Sequence, residues 1–193
     1  MIAADVLLPA CMALFGIGTG LLWKAPNVGR LDALLVRRVN QAHLPGWADR
    51  FLAVLRIAGI TLFFIAVLVL AAVARPWWAL GLTAAALAAE AITKLLKITI
   101  RRPRPFAADG GVILRLPRVP IDSSFPSADA MRAAFLSGLT AAGGMPWWAV
   151  LAAMAAAVGI GFGRVRSGAH YPLDVWAGLL IGLGAALAWA GTL

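Results

Sequence analysis

Six apolar segments, near residues 3–23, 52–74, 79–100, 126–144, 147–163 and 174–192, take up most of this chain and leave few folds open to it. Each is close to the ~20 residues that a helix needs to cross a hydrocarbon core ~30 Å thick. A helix also satisfies its own backbone polar groups, which lipid cannot do for it. With 62% hydrophobic and 13% charged residues over 193 positions, the chain is too apolar for a soluble domain. The expected fold is all-α, a six-transmembrane-helix bundle in a multi-pass membrane protein. The fifth segment, between Met145-Pro146 and Arg164, is the shortest and should be the least tilted. No internal repeat, low-complexity tract or second domain interrupts the pattern, so residues 1–193 read as one domain.

The opening residues MIAADV lack the positive start of a secretory signal, and Lys24 follows the first segment in place of a small-residue cleavage site, so that segment is expected to stay as a span. Its Cys11, the single cysteine, has no intramolecular partner and is expected to serve packing. After it, LDALLVRRVNQAH puts Leu31, Leu35, Val39 and Ala42 on one helical face, with Arg30, Arg37, Asn40 and Gln41 opposite. That pattern suits a short interfacial helix ending at the Pro45-Gly46 turn, with Arg38 snorkelling. His43 beside the turn lacks a second ligand and reads as an interfacial histidine. The pairs Trp77-Trp78 and Trp147-Trp148 mark one membrane face.

Lys and Arg total 17 against 8 Asp and Glu. Such a surplus can set orientation, meet anionic headgroups or bind phosphate. Nucleic acid is excluded as a partner because no soluble module could carry a groove-binding face. With six spans the basic loops share one side, opposite a face with little beyond Arg75. The charge bias places that side in the cytoplasm.

Three clusters bring chemistry to the ends of the apolar helices. In KITIRRPRPF, Lys97 ends the third segment and Arg104 follows between two prolines that keep the backbone extended. Together with Lys94, Arg101 and Arg102 these cations read equally well as snorkelling charges or as an anion site. Glu90, four residues before Lys94, is expected to pair with it, although an acid within a span is also a functional candidate. In DSSFPSAD a helix opens near Pro126, and backbone N–H groups from Ser127 through Ala128 to Asp129 could hold phosphate oxygens. Asp129 and Arg132 are spaced for a local ion pair. In GRVRSGAHYPLD, Arg164 and Arg166 close one helix, His170 lies in the loop, and Asp174 sits in the first turn of the next. A carboxylate there could fix the imidazole tautomer and leave its other nitrogen free to attack.

At these residues the chain resembles the type 2 phosphatidic acid phosphatase superfamily, which includes vanadium haloperoxidases and carries the signature K-x6-RP, PSGH and SR-x5-H-x3-D. Lys97 to Arg104-Pro105 matches the first part, and Arg164, His170 and Asp174 match the third at full spacing. Gly163 replaces the usual serine, and Ala128-Asp129 replace the glycine and histidine of the middle part. The resemblance implies a membrane lipid phosphatase working through a phosphohistidine on a phosphatidyl or isoprenyl (di)phosphate. It makes His170 the nucleophile and Asp174 its orienting partner. Lys97, Arg104, Ser127, Ala128 and Arg164 would hold phosphate oxygens. The family's general-acid histidine is missing, and Asp129 could take that role if its environment keeps it protonated. No metal or other cofactor is implied, since two distant histidines make a poor metal site. Phosphotransfer to a lipid or sugar acceptor, and silent lipid-phosphate binding, stand as alternatives. The resemblance further implies a bacterial inner membrane protein whose relatives more often carry the site on the periplasmic side, against the charge bias. Oligomeric state is left open.

Overall fold

The computed structural model describes residues 2–73 and 76–191. Among these the chain is all-α: α1 (Ile2–Gly20), a 3-10 turn (Leu21–Lys24), α2 (Pro26–Gln41), α3 (Gly46–Val73), α4 (Pro76–Ile100), α5 (Pro105–Ala108), α6 (Ala128–Ala142), α7 (Trp147–Arg166) and α8 (Pro172–Ala190). Five helices, α1, α3, α4, α7 and α8, are long and apolar enough to cross a membrane. The protein is an integral membrane protein.

The sixth expected span departs from this set. α6 has 15 residues and is therefore about 22 Å long, short of a ~30 Å core. It is also shorter than α7, whose 20 residues run on to Arg166 instead of stopping at Gly163. The reason is packing: α6 is the centre of the bundle, with Met131, Ala134 and Phe135 fully buried or nearly so. α8 lies against it through Gly178 and Gly182, where a Cβ would collide with the carbonyl oxygens of Ser127 and Met131. On another side Phe63 of α3 meets Phe135 edge to face at 5.6 Å. Protein encloses this helix, so it has no lipid thickness to match.

The tryptophan pairs open α4 and α7, and the Trp189 indole at the end of α8 donates to the Trp78 carbonyl at 3.1 Å. These tryptophans share one end of the bundle. The C-termini of α4 and α7 and the N-termini of α6 and α8 meet at the other. Arg75 lies outside the described residues. Cys11 is exposed on α1 and packs into no core, contrary to expectation.

α2 begins at Pro26, earlier than its pattern suggested, and ends at Gln41. Leu31, Leu34 and Leu35 face outward, while Asp32, Val36 and Asn40 form the buried stripe. The leucine face is exposed and the stripe of Asp32, Val36 and Asn40 looks to protein. Asn40 shows why: its amide donates to the Ile113 and Arg166 carbonyls at 2.8 Å each and accepts from the Ile113 N–H at 2.9 Å. Arg166, expected near the chemistry, instead donates to the Val39, Asn40 and Ala42 carbonyls and pairs with Asp49 at 2.9 Å. It caps α2, whose last carbonyls lack intrahelical partners.

Candidate active site

At the polar end of the bundle, the segment from Arg101 to Ser124 folds back over the helix ends. The Lys97 ammonium donates to the Ser123 carbonyl at 2.6 Å, and the Ser123 hydroxyl returns a bond to the Lys97 carbonyl at 2.7 Å. The Ser124 N–H donates to the Arg102 carbonyl at 2.9 Å. These bonds carry the Ser124 carbonyl to the imidazole of His170, which the α7–α8 loop supplies.

His170 is 3% exposed, and its Nδ1 lies 2.7 Å from the Ser124 carbonyl oxygen. A carbonyl can only accept, so Nδ1 carries the proton and Nε2 holds the lone pair. Nε2 lies 3.3 Å from Nη1 of Arg104. Burial, with Arg104 and Arg164 nearby, pushes the His170 pKa down to about 4 against the pull of Asp174. The imidazole is neutral at physiological pH and keeps its lone pair on Nε2.

Asp174 was expected to hold this imidazole directly. It lies 3.8 Å from Nδ1 and instead accepts from the Ser124 hydroxyl and from the Tyr171 N–H at 2.9 Å. The orienting bond comes from the Ser124 carbonyl, and Asp174 anchors the residue that provides it. Asp174 is fully buried and is neutralised by Arg102 at 2.7 Å, whose other nitrogen reaches Asp32 at 2.6 Å. The Arg102 guanidinium also stacks on the Tyr171 and Trp23 rings, 3.8 and 4.7 Å from their centroids. Arg102 is thus a buried structural cation and no snorkelling charge. Asp32 went unnoticed in the sequence; its i, i+4, i+8 spacing with Val36 and Asn40 was the available signal.

The pocket beside His170 has a volume near 370 Å³ and is lined by Arg56, Lys97, Arg104, Arg118, Arg132 and Arg164, with Asp122 and Asp129 as its acids. Asp122 bridges two of the cations, 2.5 Å from Arg104 and 3.1 Å from Lys97. Burial opposes its charge, but Lys97 and Arg104 outweigh that and hold its carboxyl below the usual range. Asp129 lies 3.1 Å from Arg164, 3.4 Å from Arg132 and 3.7 Å from Arg56. The expected local pair with Arg132 is present within a larger cluster. Glu90 takes Arg132 as well, at 2.5 and 2.9 Å, in place of Lys94.

The Ser127 N–H, expected to face an anion, donates to the Asp174 carbonyl at 2.9 Å. Ala128 and Asp129, the first two residues of α6, line the pocket wall, where an anion is favoured by the helix dipole. Ser127 makes no side-chain cap. Its buried hydroxyl, and Nε and Nη1 of buried Arg164, have no hydrogen-bond partner among the described residues. The Arg164–Asp129 contact is close, yet it is misaligned for a hydrogen bond. Such donors are costly unless an acceptor meets them.

Residues 76–192, more than half of the chain, match the family model described as PAP2, the PAP2 superfamily. This chain belongs to that superfamily. Two solved structures share its architecture. The crystal structure of Aquifex aeolicus LpxE is 27% identical with a TM-score of 0.69, covering 80% of this chain and 92% of that one. That of the first transmembrane PAP2 type phosphatidylglycerolphosphate phosphatase from Bacillus subtilis is 21% identical with a TM-score of 0.77, covering 96% and 95%. No curated protein sequence matches significantly. The fold is that of the PAP2 membrane phosphatases.

Proposed function

We propose that this PAP2 protein hydrolyses the terminal phosphate of a lipid phosphate, of the phosphatidyl or isoprenyl (di)phosphate class, through a phosphohistidine at His170. One observation carries this reading: the Ser124 carbonyl fixes the proton on Nδ1 and so turns the lone pair of Nε2 toward a pocket of cations. His170 Nε2 attacks phosphorus, the leaving oxygen departs, and water then cleaves the phosphorus–nitrogen bond. Lys97, Arg104, Arg164, the Ser127 hydroxyl and the Ala128 N–H surround the phosphoryl oxygens. Because phosphoryl transfer asks mainly for positioning and charge stabilisation, each such contact can be worth ~3 kcal/mol of barrier. Asp174 positions the loop, and Asp129 occupies the place where the family signature has histidine.

A lipid substrate is supported by the setting, since the pocket opens where apolar helices end and exposed Ile121 and Val119 flank it. The Bacillus subtilis neighbour is named for a lipid phosphate too. The charge bias supports a cytoplasmic site. The test is release of inorganic phosphate by purified protein across a panel of lipid phosphates. Release that disappears in His170→Ala supports hydrolysis. A phosphorylated acceptor without free phosphate indicates transfer, and neither product indicates binding alone.

A further inference from the structure

We propose that this site selects a phosphoanhydride, a lipid diphosphate, over a lipid phosphate monoester, because its leaving group departs without receiving a proton. The inference rests on the phosphohistidine reading above and narrows its substrate class.

The carboxylate of Asp129 is 12% exposed and contacts the guanidinium groups of Arg164, Arg132 and Arg56 at 3.1, 3.4 and 3.7 Å. Protonating it would forfeit all three ion pairs inside a pocket that already carries excess positive charge. Asp122 is similarly committed to Lys97 and Arg104. Lys97 holds a proton, but surrendering it would remove a charge that the transferring phosphoryl group needs. No pocket-lining residue is therefore a ready acid for the first step. A lipid alcohol released as alkoxide resembles hydroxide in basicity, its conjugate acid being about as weak as water. A phosphate released from an anhydride has a second pKa of ~6 and needs no proton.

The cations agree with that chemistry. Six line the pocket against two carboxylates, a surplus of four positive charges, and three even after Glu90 is set against Arg132. Arg104 serves the side nearest His170, at 3.3 Å from Nε2. Arg56 and Arg132 reach the pocket through Asp129 instead, and Arg118 lines it with no ion pair among the described residues. One phosphoryl group does not need both sets. A second phosphate would meet the outer one.

In the first step the Nε2 lone pair bonds to the terminal phosphorus, and the bond from that phosphorus to the bridging oxygen breaks. The bridging oxygen keeps the electron pair and leaves as a lipid monophosphate. In the second, a water oxygen bonds to phosphorus, the phosphorus–nitrogen pair returns to Nε2, and one water proton passes to a phosphoryl oxygen. Inorganic phosphate is released, and Asp129 keeps its three ion pairs throughout.

The test compares farnesyl diphosphate with farnesyl monophosphate on the purified full-length protein in lipid nanodiscs, reading inorganic phosphate. A general acid contributes ~10²–10⁴ in rate, so kcat/KM should favour the diphosphate by about 100-fold or more. Asp129→His should raise monophosphate turnover at least about tenfold by supplying an acid. Arg118→Ala, on an exposed loop, should cost the diphosphate at least about fivefold more than the monophosphate. A preference below about tenfold, or a monophosphate preference, overturns the inference while phosphate release keeps the phosphatase reading. Release from neither substrate overturns both.

Discussion

Protonating His170 in place is the perturbation that most sharply separates this site from an ordinary exposed histidine. Burial first, then Arg104 and Arg164, bring its pKa from 6.5 to about 4. At pH 5.5 an unperturbed imidazole is ~90% protonated, whereas one titrating near 4 is ~3% protonated. The nucleophile should thus stay active well below pH 6. The folded pKa lies below the unfolded value, so acid favours the unfolded chain, which binds the proton first. The associated stability is intact above pH 6.5 and is lost as pH falls toward 4, by about 3 kcal/mol in all. The chain has two histidines, so His43→Gln leaves one imidazole for nitrogen-15 NMR of labelled protein in nanodiscs. The expected spectrum shows protonated Nδ1 and bare Nε2 down to pH 5.5. A midpoint near 6.5, or a proton on Nε2 at neutral pH, would refute the claim that Ser124 and the neighbouring arginines set this tautomer.

Other perturbations test separate parts of the site. Asp122 occupies the cations that a phosphate would use but is half exposed, so its competing contacts are worth about 1 kcal/mol after solvent screening. Asp122→Asn should tighten vanadate binding about threefold to tenfold by calorimetry, and weaker binding would make Asp122 a partner of the ligand. Arg102→Ala strands the buried carboxylates of Asp32 and Asp174, and should cost about 3–5 kcal/mol in denaturant titrations; a loss under about 1 kcal/mol would remove the triad from the fold's support. For orientation, Ile121→Cys in a Cys11→Ala background places a thiol at a fully exposed position. An impermeant reagent should fail to label it in intact cells, and ready labelling would put the site outside.

The helices, their approximate limits and the clustering of Lys97, Arg104, Arg164, His170 and Asp174 at one end were legible because apolar length and motif spacing are local properties. The partners were not. Arg102, Asp32 and Asp174 are brought together from α2, the α4–α5 connection and α8, and Ser124 reaches His170 from 46 residues away. Nothing in local pattern distinguishes Arg102, locked between two carboxylates, from Arg101 beside it. Similarly, Glu90 sits one helical turn from Lys94, but its partner Arg132 is on a different helix. The length of α6 was misjudged because hydrophobicity does not tell a lipid-facing helix from one enclosed by protein.

The central claim is that His170 Nε2 carries the phosphoryl group between substrate and water. Rapid quench of the purified protein with a phosphorus-32-labelled lipid phosphate, followed by peptide mapping, tests it directly. The expected result is an acid-labile, alkali-stable label on His170 that forms before free phosphate and is lost, together with turnover, in His170→Ala. Continued phosphate release by His170→Ala, or turnover by the unaltered protein without any labelled histidine, would contradict it.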